Sequence, residues 1–339
     1  MKLYFITTGG GLGNQIMSYA LWLYLKRSGY RTMLYLRVNY LVRIFNIKDG
    51  LVKKNYFLDC YGSCVRLFNR WFSRIGYIEY TSFFGLNVID YPEWGNYKFV
   101  NEILPELRMD LLFPEDSNQQ NKSVLDMMRE SDSVSIHVRR GDYQNSVHWR
   151  VILGDICDKK YYEDAIEKVY SLLSKPVFFI FSDDIEWVKS NLNLDHPVFV
   201  DWNQGENSFR DIQLMSYCKV NIIANSTFSL CASWLNVNTN PIRIVPSKWL
   251  NSYFDNLLIK YIPSDWIIIN NKKPTISIIT SSILSECSIK DILKQRYSDF
   301  ELILNDSGEV KIFDGRIKTG EINGRYIYNY TRSDSLKFR

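Results

Sequence analysis

The sequence predicts an α/β protein: two Rossmann-like units with parallel sheets facing a cleft, followed by a small βαβ-like appendage. Three observations predict it. Short, apolar, β-prone segments alternate with helical ones along most of the chain, the pattern of parallel sheets covered on both faces. A glycine-rich turn, Gly9-Gly10-Gly11-Leu12-Gly13, separates the first such strand from the first helix. No apolar run approaches the roughly 18 residues of a membrane span. With 46% hydrophobic and 23% charged residues in a chain of 339, disorder, collagen and coiled coil are excluded. A net charge of +4 is too small for a dedicated nucleic-acid binder.

The first unit is expected over 1–123. Residues 2–7 form a buried strand, Asn14 caps a helix that runs to Gly29, and Arg31–Tyr40 form a second strand. Residues 40–80 differ in character. Aromatic side chains (Tyr40, Phe45, Phe68, Trp71) are interleaved with Arg43, Lys53, Lys54, Arg66 and Arg70, and acid is sparse. That stretch is either an amphipathic surface for anionic lipid or a solvated face whose aromatics belong to the core.

The second unit is expected over 124–270. Strands are predicted at 133–138, 176–181, 196–201, 220–224 and 242–246, with helices at 160–173, 184–192, 208–218 and 229–235. A loop over 151–162 is expected to lie above the site. Asn270-Asn271-Lys272-Lys273-Pro274 is a polar linker into the appendage, 271–339. The six cysteines are scattered and read as reduced thiols of an intracellular protein, and three histidines leave little material for a zinc site. The N-terminus lacks the h-region of a signal peptide, so a cytoplasmic location is expected.

Two segments carry the chemistry. Gly11 and Gly13 belong to a turn whose backbone N–H groups can approach a phosphate, with Asn14 and Gln15 placed toward a ligand. The dinucleotide fingerprint is incomplete: Ile16 holds the third glycine position, and the next strand, Thr32–Arg37, ends without a ribose-binding acid. A nicotinamide-dependent oxidoreductase is therefore the weaker enzymatic reading. The rival role for the glycines is a tight turn needed for packing. The second segment, His137-Val138-Arg139-Arg140-Gly141-Asp142-Tyr143, stands at the carboxyl end of a predicted strand, where open α/β sheets bind ligands. Two adjacent arginines there meet either an anionic ligand or internal carboxylates, Arg140 with Asp142 for instance. Alternation puts His137 and Arg139 on one side of the strand and Arg140 on the other.

Four motifs together resemble the α-1,2-fucosyltransferases of glycosyltransferase family 11: Gly10–Gln15, His137–Tyr143, Phe181–Trp187 and Asn225–Trp234, in family order over about 1–270. The resemblance implies a GT-B architecture, GDP-fucose as donor, a β-galactoside acceptor and inversion without a metal. It also implies roles for single residues. Arg139 would hold the β-phosphate with Arg140 in support, and His137 would lie near guanine or ribose. Asp211 would read the guanine N1/N2 edge. Ser226, Thr227 and Ser229 would contact the diphosphate, and Asn14 would reach nucleotide or acceptor across the cleft. Asp142 is the favoured general base and His148 an alternative. The rival role for Ser226 or Thr227 is an N-cap, and Asp183-Asp184 reads as a cap and turn in place of a metal pair. Residues 275–306 resemble the opening of a family 2 (GT-A) glycosyltransferase, so the appendage reads as a truncated module. A non-catalytic nucleotide- or sugar-binding module is the remaining alternative.

Overall fold

The computed structural model describes residues 3–47, 50–53, 81–83, 86–90, 99–251, 262–269, 276–280, 300–304, 317–318 and 326–330. Three sheets organise them.

The first contains β1 (Leu3–Thr7), β2 (Arg31–Leu36), β3 (Leu51–Lys53), β4 (Thr81–Phe83) and β5 (Leu86–Asp90), in the order β3-β2-β1-β5-β4. Only β4 runs antiparallel. Helix α1 (Leu12–Arg27) crosses from β1 to β2, and α2 (Tyr40–Ile44) follows β2. α3 (Val100–Asp110) and α4 (Gln119–Glu130) lead into the second sheet.

That sheet is wholly parallel. Its strands are β6 (Asp132–Val138), β7 (Pro176–Ser182), β8 (Val198–Phe199), β9 (Val220–Ile222), β10 (Ile242–Pro246) and β11 (Ile267–Ile269), in the order β11-β10-β9-β6-β7-β8. Its helices are α5 (Gly141–Asn145), α6 (Val147–Leu153), α7 (Lys159–Leu172), α8 (Ile185–Asn191), α9 (Phe209–Met215) and α10 (Thr227–Trp234). β6 is central, and all its residues after Asp132 are buried. This explains its run of Val134, Ile136 and Val138 beside small Ser133 and Ser135.

The third sheet is parallel too, with β12 (Ile276–Thr280), β13 (Phe300–Leu304), β14 (Ile317–Lys318) and β15 (Tyr326–Tyr330) in the order β14-β13-β12-β15. β12 and β13 are paired parallel strands, as expected of the βαβ-like appendage; β14 and β15 extend the sheet beyond that unit.

The pairing of two Rossmann-like sheets is the GT-B-like arrangement expected. Several local expectations are corrected. Gly11, not Asn14, is the N-cap of α1: the helix begins at Leu12, so Asn14 lies in its first turn. β2 ends at Leu36, four residues early, and the chain turns into α2. The strand at 196–201 shrinks to Val198–Phe199, after His196 at φ 43°. Of residues 151–162 only 154–158 are loop: the flanking residues end α6 and begin α7, whose first turn Asp158 caps through the Tyr161 N–H at 2.9 Å.

α1 is buried on nearly every side, from Leu12 through Trp22 to Leu25, because the first sheet covers one flank and α10 the other. One apolar cluster consequently joins Ile6 and Ile16 to Phe179, Ile223 and Trp249. The two units meet along this seam. Of the basic-aromatic stretch, residues 40–47 and 50–53 are described: Leu41 and Phe45 are buried, and Arg43 pairs with Glu206 at 2.8 Å. Positions 54–80 lie outside the described residues. Among the described residues, no helix is long and apolar enough to cross a membrane.

Candidate active site

β6 and β9 are parallel neighbours in the second sheet and release the arginine motif and α10 at the same edge, while α1, which follows β1 of the first sheet, packs against α10. The first turns of α1 and α10 touch. A Cβ on Gly13 would stand 2.7 Å from the Thr227 carbonyl carbon and 2.8 Å from the Phe228 nitrogen, so only glycine permits this approach. Gly13 is thus the packing glycine of the rival reading. Gly10 is required by its φ of +65°, while a Cβ on Gly11 would meet nothing within 4 Å. Gln15 is fully buried and holds backbone: its amide donates to Gly10 O and its oxygen accepts from the Leu41 N–H. It does not face a ligand. Asn14 Oδ1 accepts the Thr227 hydroxyl at 2.9 Å, and no other residue among those described engages its amide nitrogen.

Three carboxylates surround the two arginines. Arg139 pairs through one terminal nitrogen with Asp142 (2.8 Å) and through the other with Asp183 (3.0 Å), and lies 5.6 Å over the Tyr143 ring. Arg140 Nε donates to Asp184 at 3.1 Å and the guanidinium covers Trp187 at 4.3 Å. Asp142 therefore partners Arg139 and not Arg140. Asp184 also caps α8 through the Trp187 N–H, so the cap-and-turn role is the one observed. Asp183, expected only as part of the cap and turn, pairs with the arginines. Besides Arg139 it accepts the Arg140 backbone N–H at 2.8 Å, and a Cβ on Gly141 would come within 2.7 Å of its Oδ2. The glycine after the arginines is the visible trace of that carboxylate.

His137, on the Arg139 side of β6, is buried against α10. Its Nδ1 lies 3.0 Å from Ser229 Oγ, its ring 5.5 Å from that of Phe228. The Ser229 hydroxyl donates to Ser226 O at 3.4 Å, so the oxygen accepts Nδ1–H and leaves Nε2 as an acceptor. Burial, opposed by Asp183 and assisted by Arg139, holds the imidazole down to about 4; it is neutral at pH 7. Ser226 is the N-cap of α10, accepting from the Phe228 N–H at 3.3 Å. The hydroxyls of Ser226, Thr227 and Ser229 are thus all engaged within the protein, and the first turn of α10 offers an anion its backbone N–H groups. Tyr143 ties the arginines to that turn by donating to Asn225 O at 3.3 Å.

Asp211, in the first turn of α9, is half-buried. One oxygen accepts from Asn203 Nδ2 at 2.9 Å; the other has no partner among the described residues. Burial raises its carboxyl to about 7, with the Asn203 hydrogen bond opposing. His148 is exposed on α6 with its ring against Trp149. Cys157, Cys218 and Cys231 are buried free thiols, pushed upward by burial. No group of three metal-ligating side chains occurs among the described residues.

A family model described as glycosyl transferase family 11 matches residues 1–270. An alpha-1,2-colitosyltransferase of Escherichia coli is 38% identical over 170 residues, 47% of this chain and 57% of that protein. The O-antigen biosynthesis glycosyltransferase WbnK of the same species is 29% identical over 284 residues, 71% of this chain and 92% of that one. A galactoside 2-alpha-L-fucosyltransferase, SEC1 of Bos taurus, is 33% identical over 111 residues, 32% of this chain and 29% of the relative. The match thus spans little more than half of the first of these and under a third of the last.

Proposed function

Because the chain belongs to glycosyl transferase family 11, we propose that it transfers fucose from GDP-fucose, with inversion and without a metal, to the 2-hydroxyl of a terminal β-galactoside in surface-glycan assembly. The observation that supports this reading is that the first turns of α1 and α10 abut at Gly13, while Arg139 is linked to the start of α10 through the Tyr143 ring it covers and the Tyr143 hydroxyl, which donates to Asn225 O. Two helix N-termini and a guanidinium concentrate positive potential where a diphosphate would sit.

The carboxylates around Arg139 do not preclude a guest. The Arg139–Asp142 pair is exposed on both sides, 36% and 47%, and exposed pairs contribute only about 0.2–1 kcal/mol. A hydrogen bond to a charged group contributes about 1.5–3 kcal/mol, so a diphosphate can displace Asp142 while the less exposed Asp183 keeps the guanidinium aimed. Asp142, once released, would take the acceptor proton. The 2-hydroxyl oxygen attacks the sugar C1, the bond from C1 to the β-phosphate oxygen breaks, and GDP leaves with the electron pair. Arg139 and the α10 N–H groups neutralise the charge developing on it. Arg140, fixed by Asp184 and Trp187, braces the turn. Asp211 would accept the guanine N1–H and N2–H, and His137 Nε2 a ribose hydroxyl.

A second reading concerns the sugar. Both the colitosyl and the galactoside fucosyl relatives carry α-1,2 transfer in their names, and colitose is fucose without its 3-hydroxyl. The linkage is therefore better supported than the donor sugar. A screen of GDP-fucose and GDP-colitose against galactosides in EDTA, with linkage read by NMR, separates the two. Preferred transfer from GDP-colitose would replace fucose in this proposal; binding of GDP without transfer would reduce the protein to a binding module. The enzyme would work at the cytoplasmic face of a bacterial inner membrane, recruited by the basic-aromatic stretch 40–80. Flotation with phosphatidylglycerol vesicles tests that placement, and failure to float at low salt would remove it.

A further inference from the structure

Behind Asp211 lies a run of buried amides that nothing in the transfer chemistry uses. Asn203, 6% exposed, and Asn121, 2% exposed, form a reciprocal pair: each amide nitrogen donates to the other's oxygen at 2.9 Å. The remaining Asn203 hydrogen goes to Asp211 Oδ1 at 2.9 Å, and the remaining Asn121 hydrogen to Asp116 Oδ2 at 2.7 Å. Trp202 Nε1 donates to Asn121 Oδ1 at 2.7 Å. Asp116 is anchored by the Asn118 N–H at 2.9 Å and by Arg210 Nε at 3.4 Å, and Arg210 also donates to the carbonyls of Pro114 and Glu115.

Every amide donor in this run is satisfied, and the amide orientations are fixed by it: reversing either asparagine would set donor against donor. The ends are unequal. Asp116 has a cation. Asp211 has one donor on one oxygen and, among the described residues, nothing on the other. A carboxylate held from behind on one lobe and left open on the other is shaped to accept N–H groups from outside.

We infer that Asn203, oriented by Asn121 and Trp202, is a positioning residue that presents Asp211 to the base of the nucleotide and so sets its selection of a purine bearing adjacent N–H donors. The inference rests on the GDP-sugar reading above and goes beyond it by assigning the specificity to residues that do not touch ligand. The charged groups near Asp211 are Arg210 beside it and Asp116 across the relay, already paired with each other.

The experiment is calorimetric titration with GDP and with IDP, which lacks the 2-amino group, on wild type, Asp211→Asn, Asn203→Ala and the isosteric Asn203→Asp. In wild type GDP is preferred by roughly 10- to 100-fold, the weight of a hydrogen bond to a charged group. Asn203→Ala narrows the preference to a few-fold, while the affinity for IDP stays close to that of wild type. Asn203→Asp keeps the shape but faces Asp211 with an acceptor, so the pH at which GDP affinity rises moves upward; a purely structural role would not move it. If Asp211→Asn loses the preference but both Asn203 variants keep it along with the wild-type pH profile, the relay is refuted and the donor reading stands. If wild type itself does not distinguish GDP from IDP, the reading of Asp211 fails first.

Discussion

The Thr227 hydroxyl donates to the Asn14 side-chain oxygen at 2.9 Å, across 213 positions of sequence. This bond joins the glycine turn of the first unit to the helix start of the second, and beside it Gly13 lies against the Thr227–Phe228 peptide. The glycine motif therefore serves first to bring two helix N-termini together. An anion bound there would be stabilised by both.

Gly13→Ala and Gly11→Ala should separate accordingly. The new methyl at position 13 meets backbone at 2.7 Å, and overpacking of this kind costs about 1–3 kcal/mol. At position 11 it meets nothing, and the change should be within about 0.5 kcal/mol. Urea unfolding of the two variants decides; equal stability would remove the close-approach role of Gly13.

Asp142 and Asp183 both pair with Arg139, yet their substitutions should differ. Asp142→Asn removes the proposed base and a competitor for the guanidinium, so kcat falls about 10²–10⁴-fold with GDP affinity kept or improved. Asp183→Asn loosens both Arg139 and the Arg140 backbone N–H, so GDP affinity falls as well. Steady-state kinetics with GDP inhibition distinguishes them, and full activity of Asp142→Asn would reassign the base.

Two groups give pH dependence of opposite sign. Asp211, raised to about 7, binds more protons folded than unfolded, so its contribution to stability is complete below the ordinary carboxylate range and lost as pH rises through 7. His137, lowered to about 4, binds fewer protons folded, so stability is lost as pH falls from the ordinary imidazole value near 6.5 toward 4. Asp211→Asn should flatten the upper limb and His137→Gln the lower one in melts taken across pH. A GDP complex that ionises Asp211 should also release protons near pH 7, which titration in buffers of different ionisation enthalpy measures.

The strand-end arginines were legible because their position depends on one strand and the rule for sheet edges: β6 ends at Val138, and Arg139 and Arg140 follow it directly. Their partners were not. Asp183 and Asp184 come from the end of β7, which neighbours β6 only once the sheet order is known. The same holds for Asn14, whose partner belongs to the other unit, and for Asn121 and Asn203, two ordinary loop and helix polar residues until folding buries them against each other. Gly13 and Gly141 were the sequence's only marks of these contacts, since each is a position where a side chain would strike a partner. Ser226 could be read as a ligand contact or as an N-cap, and the Phe228 N–H shows the cap; the Ser229 contact with His137 left no mark in the sequence.

The proposed transfer requires Arg139 to receive the diphosphate of a guanine nucleotide. Calorimetric titration of GDP into wild type and Arg139→Ala, with the fold of the variant checked by circular dichroism, tests this most directly. Binding by wild type, and loss of roughly tenfold or more in the folded variant, is the predicted result. Equal affinity in the two proteins would place the nucleotide elsewhere and contradict the assignment.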